Sequence, residues 1–384
     1  MTAIQITCRD PIVSRDGRPF GAGQGNRMRG LDWLLPSVIA GALRTTLGTS
    51  AKRDFTPAVA EDLLRVEVAG PFPVAEGRLY FPAPDDCVVN PERKPLRASP
   101  QPLDEGGGDW PADLQPVRLR DDQAPHDFKP EETPPWWPEE RLVAWLAGDE
   151  IAFDDQYLCA PERIERTHVR IDPLVGAAEE GALFTTAALA LNYLPRYCAE
   201  VGGIRPSRFA EITLAARVRA TGWCGDTAAR LDTLHPLGGE RRLVHWKAME
   251  ANAWSSPARI REALAAKSGV RMMLVTPAIF RSGWKPGWLS NELVGTPPGA
   301  TVALRLVGIS IQRWRAVSGW SLADLPGRPR GAKPVRRLVP AGGVYFFETV
   351  EGKASGLADC WLESVSDDEQ DRRDGFGLAV WGIW

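Results

Sequence analysis

Four arginines, Arg15, Arg18, Arg27 and Arg29, are spread through a stretch that also holds Gly17, Gly21, Gly23, Gly25 and Gly30. Guanidinium groups neutralise phosphate, and glycines let an anionic backbone come close to free N–H groups, so these residue types suit a phosphate cradle. A long solvated connection fits the same residues. The stretch is not a nucleotide P-loop, because no lysine followed by Ser or Thr closes it, and the dinucleotide pattern G-x-G-x-x-G is missing.

The elements that must hold this stretch can be read on either side of it. Ile4, Ile6 and Cys8 alternate with Gln5 and Thr7, the period of a half-buried strand. After the stretch, Pro36 fits a first helical turn and Gly48 a stop, while Leu35, Ile39, Ala42, Leu43 and Leu47 share one face that should turn inward. The chain therefore opens strand, basic loop, helix.

Composition bounds the rest. At 384 residues there is room for two substantial domains, and the apolar and charged fractions, 44% and 25%, are those of a globular protein. No apolar run reaches the ~18 residues that would span a bilayer and nothing resembles a signal peptide, so a cytoplasmic location is expected. Six scattered cysteines without a C-x-x-C pair read as buried reduced thiols. Neither they nor the four histidines show metal-ligand spacing, and no cofactor is expected. The net charge of −3 hides a strong asymmetry: between Arg313 and Arg337 seven cations face only Asp324. Such a dipolar chain can bind a polyanion on one surface, although a single basic run is also what an ordinary solvated face looks like.

Along the chain, Pro57 to Leu64 reads as a short helix and Leu79 to Phe81 as a strand. From about 85 to 137 proline, glycine and acid dominate, which predicts an insertion lying over the surface without a regular core, held where Trp110, Trp136 and Trp137 can bury. A helix is expected from Pro138 to Gly148. Glu165 to Thr186 reads as an extended hairpin with a basic arm bearing His168. From Phe209 to Ala220, Ile212, Leu214, Ala216 and Val218 take one strand face and Arg217 and Arg219 the other, which predicts the start of a second unit. A helix from Pro257 to Lys267 and strands at 271–276, 301–309 and 343–349 complete it. The repeated order predicts an α+β fold of two ferredoxin-like (RRM-like) domains, 1–203 and 204–384, with the extended hairpin and the Pro/acid-rich insertion in the first.

With these segments placed, RDGRPFGAG, WLLPSVIAGALRT, EEGALFT, LGGERRL, VTPAIFRSGW and the run SGWSL…GRPRGAKPVRRLVPAGGVYFFE, in this order, resemble the handle-capping RAMP-superfamily subunit of type III-B (Cmr) CRISPR effector complexes. The resemblance implies two ferredoxin-like domains with a protruding thumb hairpin, in a non-catalytic RNA-binding subunit that holds the 5′ repeat-derived handle of the CRISPR RNA. It also implies docking to the large polymerase-like subunit and to the backbone RAMP subunit of the filament. Candidate RNA contacts are Arg15, Arg18, Gly21, Gly23, Arg27 and Arg44 in the first unit, His168 and Arg170 on the hairpin, Gly238, Gly239, Arg241 and Arg242, and Arg313, Trp314 and Arg315. Trp320, Trp381 and Trp384 are further stacking candidates. The rival reading is a metal-independent CRISPR RNA-processing endoribonuclease with His168 as general base beside Arg166 or Arg170. A plain tight turn remains the alternative at Gly238 and Gly239.

Overall fold

The computed structural model describes residues 1–16, 26–102, 111, 114–120, 122–123, 128–198, 203–219, 223–249, 254–321, 324–325 and 329–384. An antiparallel seven-stranded sheet runs in the spatial order Asp232–Pro236, Leu243–Met249, Thr2–Cys8, Thr213–Arg219, Glu67–Ala75, Arg78–Pro82, Trp136–Pro138. Alternation in the first strand sends Ile4, Ile6 and Cys8 into a core shared with the helix Pro36–Ser50, whose Ile39, Leu43 and Leu47 are fully buried against them. Each such side chain contributes about 1.5–3 kcal/mol through the apolar surface it removes from water. The helix runs through Gly48, which is not its stop. A Cβ there would sit 2.7 Å from the Phe55 ring, so that position serves close packing.

A second, six-stranded antiparallel sheet has the order Val294–Gly295, Ala303–Ser310, Val344–Glu351, Gly269–Leu274, Leu378–Ile383, Glu363–Ser364. Number the four principal strands of each sheet in chain order, 2–8, 67–75, 213–219, 243–249 and 269–274, 303–310, 344–351, 378–383. Both sets then lie side by side as fourth, first, third, second. In the first sheet the helices Pro36–Ser50 and Trp223–Ala229 fall between first and second and between third and fourth strands. In the second, the 3₁₀ helix Ala354–Cys360 takes the latter place and packs on Ala258–Ala266, which precedes the first strand.

This pairing corrects the expected division at residue 203. Thr213–Arg219 shows the predicted alternation, with Leu214, Ala216 and Val218 in the helix-side core, but it pairs with Thr2–Cys8 and Glu67–Ala75, and Leu243–Met249 also pairs with Thr2–Cys8. A cut at 203 would break the first sheet. The change from one sheet to the other falls between Met249 and Ala258. The region 85–137 is also corrected. Although it leaves the first sheet after Arg78–Pro82, it is tied into the core by Cys87, Val89 and Leu114, Ala98 is buried, and Gln115 N–H donates to Val307 O at 2.7 Å in the second sheet. Trp136 and Trp137 are buried as expected, while Trp110 lies outside the described residues. A buried ion pair, Arg271 Nε to Asp86 Oδ2 at 3.1 Å, links this region to the second sheet.

Candidate nucleic-acid interface

The hairpin predicted around His168 is formed by Arg163–Ile171 and Ala178–Leu189 and stands away from the body, with Leu174 93% and Val175 72% exposed at its tip. Its base is stitched to the basic loop. Ile12 bridges Leu189, the short strand Asn26–Arg27 runs parallel to the second arm, and Met28 N–H donates to Thr185 O at 2.8 Å. The two limbs of the loop are held together by Asp16 N–H to Arg29 O at 3.1 Å and Leu31 N–H to Ser14 O at 3.0 Å, with Arg15 opposite Gly30. The exposed side chains of Arg15, Arg27 and Arg29 are thereby gathered at the foot of the hairpin. Arg18, Gly21 and Gly23 lie outside the described residues.

Arg27 is ion-paired with Glu165 and Arg170 with Glu179 on the hairpin surface. Exposed pairs of this kind contribute little, because water screens both charges, so exchanging the carboxylate for a phosphate costs little. His168 shares a hydrogen bond between Nε2 and Thr186 Oγ1 at 2.9 Å, and its ring stacks on Phe184 with centroids 5.2 Å apart. The half-buried ring is thereby held against the second arm, beside its strand partner Phe184.

Gly238 and Gly239 sit in the turn between Asp232–Pro236 and Leu243–Met249, which packs on the limb of the basic loop: Gly239 N–H donates to Val13 O at 2.8 Å. Gly238 has φ +72°, and a Cβ there would stand 2.5 Å from Val13 O. The glycines therefore answer to a tight turn and a close backbone approach, and the Gly239 N–H is used within the protein. Arg241 is exposed beside this turn; Arg242 pairs with Glu240 at 2.5 Å.

Asp32 joins the two halves of the interface. Its carboxylate takes Arg163 from the foot of the hairpin and Arg315 Nη1, at 2.7 Å, from the second half. Burial pushes this carboxyl up, but the two guanidinium groups outweigh it and hold it below its ordinary value. Arg313 and Trp314 lie beside Arg315 and are exposed. Three candidates leave the interface. Arg44 is buried: its guanidinium donates to Val66 O at 2.6 and 3.1 Å, to Arg373 O at 3.0 Å and to Asp374 Oδ1 at 2.5 Å. Trp381 is fully buried with Nε1 donating to Cys360 O, and Trp384 is partly buried with Nε1 donating to Phe347 O at 2.9 Å. Asp32 and Arg163, which connect the surface, had no sequence signal, because their meaning comes only from their partners.

Next to Asp32 opens a cleft of about 980 Å³ between the halves, walled by Trp33, Trp136 and several prolines. Among the described residues, Asp16, Asp32, Asp85 and Glu132 line it against Arg315, so the acidic lining disfavours phosphate there relative to the arginine-bearing rim. Within it, burial pushes the Asp85 carboxyl up to about 6 despite hydrogen bonds from Gln312. Among the described residues no group of three or more His, Cys, Asp or Glu side chains could hold a metal ion, and no helix is long and apolar enough to cross a membrane.

A family model described as CRISPR-associated protein (Cas_Cmr3) matches residues 4–384. Among solved structures, similarity is found to a chain of the type III-B Cmr-beta complex bound to cognate target RNA and AMPPnP and to one bound to cognate target RNA. In each case identity is 13%, the TM-score 0.49, and the match covers 90% of this chain and 86% of that one. A chain of the Csm3–Csm4 subcomplex of the type III-A CRISPR-Cas interference complex matches at 9% identity and a TM-score of 0.36, over 92% of this chain and 96% of that one. Comparison with curated proteins finds no match.

Proposed function

The chain belongs to the Cmr3 family of CRISPR-associated proteins, and we propose that it serves as a non-catalytic RNA-binding subunit of a type III-B CRISPR effector complex, holding the 5′ repeat-derived handle of the CRISPR RNA. The observation that carries this reading is the single surface on which Arg15, Arg27, Arg29 and the projecting hairpin meet. Single-stranded RNA is held by cations along its phosphates and by side chains pressed between splayed bases. The loop limbs supply the first, and the apolar tip of the hairpin, Leu174 and Val175, the second. We read the shared strand order of the two sheets as ferredoxin-like, with the hairpin as a thumb that kinks the strand where handle meets guide. The large polymerase-like subunit and the backbone RAMP subunit are the proposed protein partners.

A non-catalytic role is supported by His168, whose ring is engaged with Thr186 and Phe184. His168→Ala should leave target cleavage by the assembled complex nearly unchanged; a loss above about a hundredfold with assembly intact would favour the endoribonuclease reading. The decisive experiment is RNA retention by the complex reconstituted with Arg15→Glu and Arg27→Glu. Retention should collapse at physiological salt, and undiminished retention would remove the assignment.

A further inference from the structure

A second basic surface lies in the second half of the chain. There, Arg315–Val317 pairs with Arg336–Leu338, and the pair is anchored from below: Val317 and Leu338 are buried with Ile279 and Phe376 in a small core of their own. Trp314 stands at the end of this anchored ribbon, 47% exposed. The Arg337 guanidinium lies over the Trp314 ring at 4.7 Å from its centroid, so one face of the indole is occupied by a cation and the ring is held in place. Packing that left the ring for core purposes would have hidden it; here a large apolar surface is fixed in an exposed position.

The surrounding charge decides what suits it. Arg315 is neutralised by Asp32 and Arg336 by Asp371, at 2.7 Å each. Among the described residues, Arg313, Arg330, Lys333 and Arg337 have no carboxylate partner. A ring backed by a guanidinium and flanked by uncompensated cations matches a base with its phosphates better than it matches a protein side chain, since every base has a π-face and every linkage a negative charge. The ribbon is also continuous with the hairpin, because Asp32 holds Arg163 and Arg315 together. Resting on the RNA-binding reading above, we infer that Trp314, backed by Arg337, is a stacking site for one unpaired RNA base, reached by a strand that passes from the foot of the hairpin over the Asp32 link.

The test uses the full-length chain and a labelled single-stranded RNA of the repeat sequence, alongside the same RNA with single bases removed position by position. Trp314→Ala should weaken binding by about fivefold to a hundredfold, the range of one lost base stack, without changing the salt dependence. Trp314→Phe should recover part of the loss. At one abasic position the wild-type chain should bind as weakly as the Ala variant, and the variant should lose nothing further there. Arg313→Ala should instead lower the slope of log affinity against log salt by about 0.7, the share of one single-strand phosphate.

The inference falls if Trp314→Ala binds within twofold of wild type, if its loss is equal at every abasic position, or if it impairs only subunit docking in the complex, which would make the ring a protein contact. Wild-type chain that binds RNA normally with an unaffected variant refutes this site alone. Wild-type chain and complex that both fail to retain RNA refute the underlying reading together with it.

Discussion

Arg44 lies on the first helix behind a phosphate-suited loop, yet its guanidinium fork is closed inside the protein. Changing Arg44 to Met keeps most of the aliphatic stem while removing every donor. Val66 O then loses the two hydrogen bonds it accepts from this side chain, Arg373 O loses another, and among the described residues the Asp374 carboxylate keeps the Gln370 Nε2 donor at 2.9 Å. Both members of the ion pair are nearly closed to water, 7% and 12% exposed, so screening does not rescue the orphaned carboxylate. Removing one partner of such a pair costs about 3–5 kcal/mol. At ~2–4 °C per kcal/mol in chains of ~150–250 residues, and less in a longer one, the melting temperature should drop by roughly 5–10 °C. The loss also loosens the first helix from the C-terminal segment carrying Asp374. Circular dichroism melting reads the first effect, and RNA retention well below the melting temperature should stay near wild type. The double change Arg44→Met with Asp374→Leu should recover part of the stability, because no buried charge is then left unpaired. An unchanged melting temperature together with lost RNA binding would refute the burial reasoning and return Arg44 to the interface.

Gly238→Ala should destabilise the protein by about 1 kcal/mol or more, since both the positive φ and the Val13 carbonyl oppose a Cβ; Gly299→Ala, which shares the positive φ but meets nothing, should lower the melting temperature less, and equal losses would refute the contact. Deleting Asn90 to Phe128 should lower the melting temperature severely, because Ala98, Leu114 and the Gln115 bond to the second sheet leave with it; a cooperative, unshifted melt would contradict this. Burial raises the folded Asp85 carboxyl to about 6 and that of Glu139 to about 7. A raised folded value means stability that is full below the unfolded value near 4 and is lost as pH rises through 6 and 7. Asp85→Asn with Glu139→Gln should therefore flatten the decline in stability measured by denaturant titration between pH 5 and pH 8, and an identical pH profile would refute it.

Much of this could be read from local pattern. Strict alternation at Ile4, Ile6, Cys8 and at Leu214, Ala216, Val218 fixed which face of the first sheet meets the helix, and the basic hairpin around His168 was visible from its alternating arms. Pairing was another matter. Glu67–Ala75 contains Pro71 and Pro73, which hide a strand, yet the ladder to Thr213–Arg219 shifts register between Ala215 and Arg217 and so makes room for a residue without an N–H. With that strand concealed, nothing local told that Thr213–Arg219 completes the first sheet and does not begin the second. Arg44 and Trp381 were misplaced for a related reason: a residue type suited to RNA is equally suited to a buried bond, and only Asp374 and Cys360, hundreds of residues or a turn of chain away, decide between them. Asp32 shows the reverse, an unremarkable acid whose two arginine partners make it the join of the interface.

The strand Thr2–Cys8 lies inside its sheet, between neighbours that end at Arg219 and Met249. On a ribosome working at about 5–20 residues per second, this strand therefore waits roughly ten to fifty seconds before either neighbour has been synthesised. During that time an apolar strand with both edges open is exposed to every other nascent chain nearby. A fragment ending near residue 203 would keep it in that state permanently and should accumulate as aggregate, whereas one ending just past Met249 has every strand of the first sheet. The order of synthesis thus places the first point at which this sheet can close at about Met249.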